Sequence, residues 1–476
     1  MTSDKDQRVN HDGDNGGGDL SLLGDAVVYT STQAGSPLPS ALVDATGDPP
    51  EAEPNVSDGS SAKGRRSRVR TVLLEEQRIA AAKEGFSTRR VPKNAMRTLV
   101  SGAVRPRSGD VVLARVDRVR QHARIELPTG RRALLDAGDE IILACGNRYA
   151  TDQFEAFVPK KLGKAHLVAA GGIAGIETAR ARKMRPATEI SLLGLIADSS
   201  GLPLNLMSFA LPSPEVGRMR PPVVAVLGTS MNSGKTTSAR YLTRGLKAAG
   251  FRVGYAKITG TGAGADYWAI LDVGASRVVD FTDAGLASTY MAPIHLLETI
   301  SINLIGHLIA DGCDRIIVEI ADGLLQSETA ELIRSDVFFA LVDRVVFTAA
   351  DAMAAIGGVR TLQDHGFDVA CVSGLLTASP LPVREAAKAC GIPVFDKDDL
   401  GNPEIAAELA AYRTGFVEHL ASLPEDGPGI AARLAAYRMA TRNGAAVALG
   451  LLTNAASAPL SETWDRIAVA PEVMTE

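Results

Sequence analysis

Cysteine is scarce in this chain, with only Cys145, Cys313, Cys371 and Cys390 present. None forms a Cys-x-x-Cys pair and none has histidines at zinc-finger spacing, so the sequence reads as that of a reduced, cytoplasmic protein. Long apolar runs are missing too. No stretch approaches the ~18 residues that a bilayer crossing needs, and Met1–Asn15 is polar and acidic, unlike a secretory signal. No membrane partner is expected. Charge of one sign is also lacking where it would matter. Residues 1–62 carry eleven acidic against two basic side chains, while the whole chain is at −5, so the remainder is close to +4. A near-neutral body gives no reason to expect a nucleic-acid partner. The histidines His122, His166, His295, His307, His365 and His419 make no spaced ligand set, and no Ser-His-Asp arrangement is readable.

What is present is apolar material, 46% of 476 residues, enough for at least two packed domains. Residues 1–65, rich in Gly, Ser, Asp and Pro, read as a disordered acidic tail. Residues 66–94 read as a basic linker and a helix around Val72–Lys83. Residues 95–215 read as an accessory α+β domain. Its short strands at Thr98–Val104, Asp110–Val116, Ala123–Leu127, Arg132–Leu135, Asp139–Cys145, His166–Ala170 and Ile190–Ile196 suggest a small barrel or sandwich. Gly171–Gly175 reads as a turn from a strand into a helix, with anion binding as the alternative. Gly146–Asp152 reads as a structural loop, with Arg148 or Asp152 as alternative substrate contacts.

From Val223 the pattern changes to apolar strands separated by amphipathic helices. Strands are expected at Val223–Leu227, Val253–Lys257, Arg315–Glu319, Arg344–Thr348, Val369–Leu375 and Pro393–Phe395. Helices are expected near Lys235–Ala249, Ile294–Ala310, Thr329–Val337, Ala350–His365 and Arg384–Ala389. This is the signature of an α/β fold with a mostly parallel sheet covered on both faces, here over residues 220–400. Terminal helices at Ile405–Leu423 and Gly429–Asn443 would fall in a C-terminal segment, 401–476.

The most informative stretch is Val223-Val-Ala-Val-Leu-Gly-Thr-Ser-Met-Asn-Ser-Gly-Lys-Thr-Thr237. A buried strand enters a turn of small residues, and a helix begins at the lysine. Backbone N–H groups of Gly228, Thr229, Ser230, Met231, Asn232, Ser233 and Gly234 can converge on phosphates there, and the helix N-terminus adds positive potential. Lys235 reaches the β- and γ-phosphates, Thr236 ligates Mg²⁺ through its hydroxyl, and Thr237 continues the cradle. One departure stands out: five residues separate Gly228 from Gly234, so Thr229 occupies the usual first glycine position. The cofactors expected are a nucleoside triphosphate and Mg²⁺.

That spacing resembles dethiobiotin synthetase and the cobyrinic acid a,c-diamide synthase group, in the SIMIBI branch of P-loop NTPases. A second lysine early in the loop, as in the partition and septum-site ATPases, is absent. Gly254–Gly260 is similar to the dethiobiotin synthetase segment whose lysine points at phosphates and substrate, which implies that role for Lys257. Gly264–Ala275 resembles a stretch of molybdopterin-guanine dinucleotide biosynthesis protein B, where an Asp and an aromatic precede a Gly-Ala turn and a strand. Asp266 and Asp272, with Asp280 and Asp283 further on, are candidate contacts for Mg²⁺ or substrate, and Mg²⁺ takes only one or two carboxylates. Arg315–Leu325 ends a strand on Glu319, where ligands of open α/β sheets bind. The resemblance implies that Glu319 is a metal ligand, although Asp322-Gly323 replaces the family's Gly-Gly. Ser327 is the expected cap of the next helix, with Glu328 in its first turn.

The resemblance implies ATP as the nucleotide. It also implies an enzyme that activates or phosphorylates a small molecule, with Lys235, Lys257 and Glu319 catalytic and Thr236, Glu319 and Asp266 at the metal. A nucleotide-hydrolysing switch or delivery protein acting on a protein partner is the alternative, and a homodimer is left open. Either use requires the Glu319 carboxyl and the Lys235 ammonium at the same edge of the sheet.

Overall fold

The computed structural model describes residues 68–214 and 220–413. The acidic tail, the centre of the Pro212–Pro222 linker, the helix expected at Gly429–Asn443 and the distal part of Ile405–Leu423 lie outside the described residues. Among the described residues, no helix is long and apolar enough to cross a membrane.

The C-terminal sheet has six parallel strands: β1 (Val223–Gly228), β2 (Val253–Lys257), β3 (Arg277–Asp280), β4 (Arg315–Glu319), β5 (Arg344–Thr348) and β6 (Val369–Ser373). They lie in the order β3-β2-β4-β1-β5-β6. Both faces are covered, so successive side chains of one strand enter different cores. Val223, Ala225 and Leu227 pack with α3 (Ile294–Ala310) and α6 (Ala352–Asp364), whereas Val224 and Val226 pack with α1 (Lys235–Ala248) and α2 (Ala265–Asp272). This two-sided burial is why β1 has no polar residue at all. Gly250 ends the α1 turn at φ +91°, the left-handed position where a helix usually stops on glycine.

Register decides where the site forms. Lys257 and Val226 both pair with Glu319, Gly228 pairs with Thr348, and Thr348 pairs with Ser373. The carboxyl ends of β2, β4, β1, β5 and β6 therefore lie along one edge.

In the N-terminal module, five strands close into a ring through consecutive pairings. They are Val111–Arg118, Glu140–Cys145, Ile173–Arg180, Gly163–Ala169 and Thr188–Ala197. One face of every ring strand feeds a single cluster containing Val112, Ile141, Leu143, Leu167, Ala174 and Leu192, the interior of a small barrel. Ile173–Arg180 runs on past the ring and carries an arm, in which Phe154–Phe157 pairs with it and Arg148–Tyr149 forms the outer edge.

Several local expectations are corrected. The segment expected as a helix at Val72–Lys83 holds a strand, Arg70–Leu73, paired with Thr98–Ser101, and only Glu76–Ala81 is helical. The Gly171–Gly175 turn leads into the antiparallel strand Ile173–Arg180 and not into a helix, so it offers no helix N-terminus to an anion. Its glycines serve close approach: a Cβ on Gly171 would lie 2.3 Å from the Gly262 carbonyl. The helix expected at Thr329–Val337 is broken into α4 (Ser327–Leu332) and α5 (Asp336–Leu341), because Ser335 accepts the Phe338 N–H and starts a new helix. Pro393–Phe395 forms only an isolated bridge to Val372.

Candidate functional site

The turn after β1 is held in shape by its neighbours. Thr229 donates its N–H to the Thr348 carbonyl at 3.0 Å, and the hydroxyls of Ser233 and Thr348 lie 2.7 Å apart. Gly234 has φ +108°, and a Cβ there would sit 2.9 Å from the Cα of Gly374. A Cβ on Gly228 would collide with the Ser233 and Thr348 hydroxyls at 2.2 and 2.4 Å. Gly234 is therefore dictated by its left-handed backbone, and Gly228 by the close approach of those two hydroxyls. Thr229 is not among the residues with positive φ, which is the physical reason that a non-glycine residue is accepted there. The helix α1 starts at Lys235 after Gly234, which offers no side-chain cap. Its first N–H groups remain available to a phosphate.

Lys235 curls back over this loop. Its ammonium donates to the carbonyls of Ser230 at 2.8 Å and Asp322 at 2.6 Å. Burial pulls its pKa down to about 8, opposed by the nearby Glu319 and Asp322 carboxylates. Thr236 donates its hydroxyl to Glu319 Oε1 at 3.1 Å, and Tyr255 donates to Oε2 at 2.8 Å. Lys257 ion-pairs with Asp266 and, at 3.3 Å, with Glu319. Burial alone would lower the Lys257 pKa, but Asp266 and Glu319 outweigh it and hold the ammonium well above its usual range. Burial would also raise the Asp266 carboxyl, yet Lys257 and the Thr236 hydroxyl keep it low.

Thr236, Asp266 and Glu319, the expected metal group, are thus gathered together, with Lys235 and Lys257 beside them. They present a hydroxyl and two carboxylates, hard oxygen donors of the kind Mg²⁺ accepts alongside phosphate and water. Among the described residues, no cluster of three or more His, Cys, Asp or Glu forms a metal cage. The other acids go elsewhere. Asp280 and Asp283 bind Arg89, at 3.2 and 2.7 Å, and Asp272 ends α2. Gln326, not Ser327, caps α4 by accepting the Thr329 N–H at 3.0 Å.

These groups open onto a cavity of about 530 Å³, within the usual range for small-molecule sites. One wall belongs to the N-terminal arm: Arg148, Tyr149, Ala150 and Gln153. The arm also touches the phosphate loop, where Asn232, at φ +65°, donates to the Asp152 carboxylate. Sequence reasoning offered Arg148 and Asp152 only as an alternative. It missed Asp322 as a partner of Lys235, and it missed the hydroxyls of Tyr255 and Thr348. The strand-terminal positions of Glu319 and Thr348 were the available signal.

His122, at φ +62°, stands behind Arg148, with its Nε2 3.3 Å from the guanidinium. Burial, reinforced by Arg148, pushes the His122 pKa down to about 4. The sign follows directly. An unfolded histidine takes up its proton near pH 6.5, so the folded state is penalised as pH falls from there towards 4. Stability is expected to fall by about 1.4 kcal/mol per pH unit across that window. A His122→Gln variant should flatten the slope in denaturant titrations at pH 7, 6, 5 and 4.5, and an unchanged slope would refute the assignment.

No protein-family model matches the chain, and no curated protein matches it. Solved structures similar to it include the signal recognition particle receptor FtsY from Elizabethkingia anophelis, at 15% identity and TM-score 0.29, covering 42% of this chain and 68% of that one. The signal recognition particle 54 kDa protein from Aeropyrum pernix K1, solved with GDP, is similar at 18% identity and TM-score 0.30, covering 47% and 51%. Cell division protein FtsY from Thermotoga maritima is similar at 17% identity and TM-score 0.28, covering 41% and 70%. Likenesses this loose add nothing to the sheet order and loop geometry, which by themselves describe an α/β P-loop nucleotide-binding fold.

Proposed function

We propose that this chain is a Mg²⁺-dependent nucleoside triphosphatase of the SIMIBI branch, and that hydrolysis switches its contact with a protein partner. The supporting observation is the pairing of Thr236 with Glu319 at 3.1 Å beside an ammonium parked on loop carbonyls. In phosphoryl transfer, positioning and charge neutralisation supply most of the catalysis. Lys235 binds the β- and γ-phosphates, the α1 N-terminus donates N–H groups, and Thr236, Asp266 and Glu319 would hold Mg²⁺. When bound, the metal would neutralise developing charge on the phosphate oxygens. ATP is the nucleotide carried over from the resemblance.

The switch reading draws on the other end of the Lys235 hydrogen bonds. A phosphate that attracts Lys235 takes it from the Asp322 carbonyl. Asp322 is held at φ +63°, an uncommon conformation for a residue other than glycine. Three residues on, Leu325 is 96% exposed. Nucleotide binding therefore unties a segment that displays an apolar side chain. Hydrogen–deuterium exchange with a non-hydrolysable NTP analogue tests this. Faster exchange over residues 320–326 is the expected result, and unchanged or slower exchange there speaks against the switch.

The second reading is a synthetase or kinase acting on a small molecule, favoured by the cavity wall that the arm supplies. Turnover stimulated more than roughly tenfold by one member of a panel of small carboxylates and amines would establish it in place of the switch, since tenfold corresponds to about 1.4 kcal/mol of barrier.

A further inference from the structure

From the arm's geometry we infer that Arg148 is an oxyanion-binding residue that completes the phosphate cavity from the wall the arm supplies. The inference rests on the nucleotide reading above and adds a residue from the N-terminal module to it. Arg148 is 7% exposed and lines the cavity. Its two terminal nitrogens meet only neutral groups, His122 Nε2 at 3.3 Å and Gln153 Oε1 at 2.7 Å. Its Nε is buried with no partner, and among the described residues no carboxylate lies within ion-pair distance. A buried guanidinium without an anion is costly, and a planar fork of donors matches phosphate or carboxylate oxygens. Its surroundings hold it in place. The Arg148–Tyr149 strand is pinned to Phe154–Phe157, and the Phe154 ring lies 5.8 Å from the guanidinium carbon. Burial lowers the Arg148 pKa, and the charge of Asp322 opposes that; the Asp322 carbonyl holds Lys235. Arg148 and Lys235 both line this cavity, one from the N-terminal arm and the other from the phosphate loop. The occupant is an oxyanion, either the terminal phosphate of the nucleotide or an anionic group of a second molecule beside it.

Calorimetric titration of the full chain distinguishes the sources, using a non-hydrolysable NTP analogue, the corresponding NDP, and inorganic phosphate added to NDP-loaded protein. With the terminal phosphate as occupant, Arg148→Gln lowers NTP affinity roughly ten- to hundredfold, the effect of removing a charged hydrogen-bond partner, and leaves NDP affinity unchanged. With a separate oxyanion as occupant, both nucleotide affinities hold and phosphate binding to the NDP complex is lost. Arg148→Lys keeps the charge without the fork and should give an intermediate loss for the same ligand. It decides the matter if the glutamine variant does not fold. If the wild type binds nucleotide and neither variant changes any of the three affinities, the assignment of Arg148 is overturned. If the wild type binds no nucleotide, the nucleotide reading falls and this inference falls with it.

Discussion

Changing Lys235 to alanine is expected to weaken binding of a nucleoside triphosphate by roughly 10²- to 10⁴-fold while leaving the chain folded. The ammonium now makes two hydrogen bonds, to the Ser230 and Asp322 carbonyls. On a polyphosphate it would make charge-assisted ones, worth about 1.5–3 kcal/mol each, and two of these account for the range. The effect on stability runs the other way. Lys235 is largely desolvated, which is why its pKa sits at about 8, so removing it takes away a buried charge. The carbonyls it leaves belong to an exposed Ser230 and a half-buried Asp322 at an open cavity, where water can replace the donor. The melting temperature should stay within a few degrees, a stability change of about 1 kcal/mol or less. Calorimetry paired with thermal melts checks both halves. A folded variant that keeps its affinity within threefold would remove Lys235 from the site.

The contrast between the two ends of that lysine shows what was legible in the residues. The glycine–lysine–threonine turn, the apolar run before it and the helix after it are local features, so spacing alone revealed them. Five of the six parallel strands were legible for the same reason, because two covered faces leave runs such as Val223–Leu227 with no polar residue, whereas β3 at Arg277–Asp280 was not among the expected strands. One of the two partners of Lys235 lies 87 residues away, and it is a backbone carbonyl, which no side-chain pattern marks. The strand Arg70–Leu73 overlaps the expected helix only at Val72 and Leu73, and all four of its side chains are exposed, which leaves no alternation to identify a strand. The Gly171–Gly175 turn failed differently: Gly171 answers to the Gly262 backbone and Gly172 to that of Gly85, close approaches that only the tertiary fold defines. Arg148 had a polar loop around it in the sequence, and what gives it meaning is its burial beside His122 and Gln153 with no carboxylate of the described residues in ion-pair distance, a property of its surroundings alone.

Glu319 carries the second large effect, and its two oxygens predict two separable outcomes. Glu319 is 1% exposed, with Oε1 accepting from Thr236 and Lys257 and Oε2 from Tyr255. A Glu319→Gln variant keeps the volume, and its carbonyl can still accept from Tyr255, but it loses the negative charge next to Thr236. Turnover of Mg·NTP is expected to fall roughly 10²- to 10³-fold, the typical cost of removing one preorganised electrostatic group. The Mg²⁺ concentration for half-maximal rate should rise with it. Nucleotide affinity measured without Mg²⁺ should be unchanged or slightly tighter, because one negative charge near the phosphates is gone. Glu319→Ala adds a structural loss, since the buried Tyr255 hydroxyl is left without an acceptor and Lys257 retains only Asp266. A destabilisation of about 1–3 kcal/mol follows. The pair of variants separates two roles that the geometry superimposes. If the glutamine variant folds and its Mg²⁺ dependence matches the wild type, then Glu319 is there to neutralise Lys257, and the cation must be anchored by Thr236 and Asp266 alone.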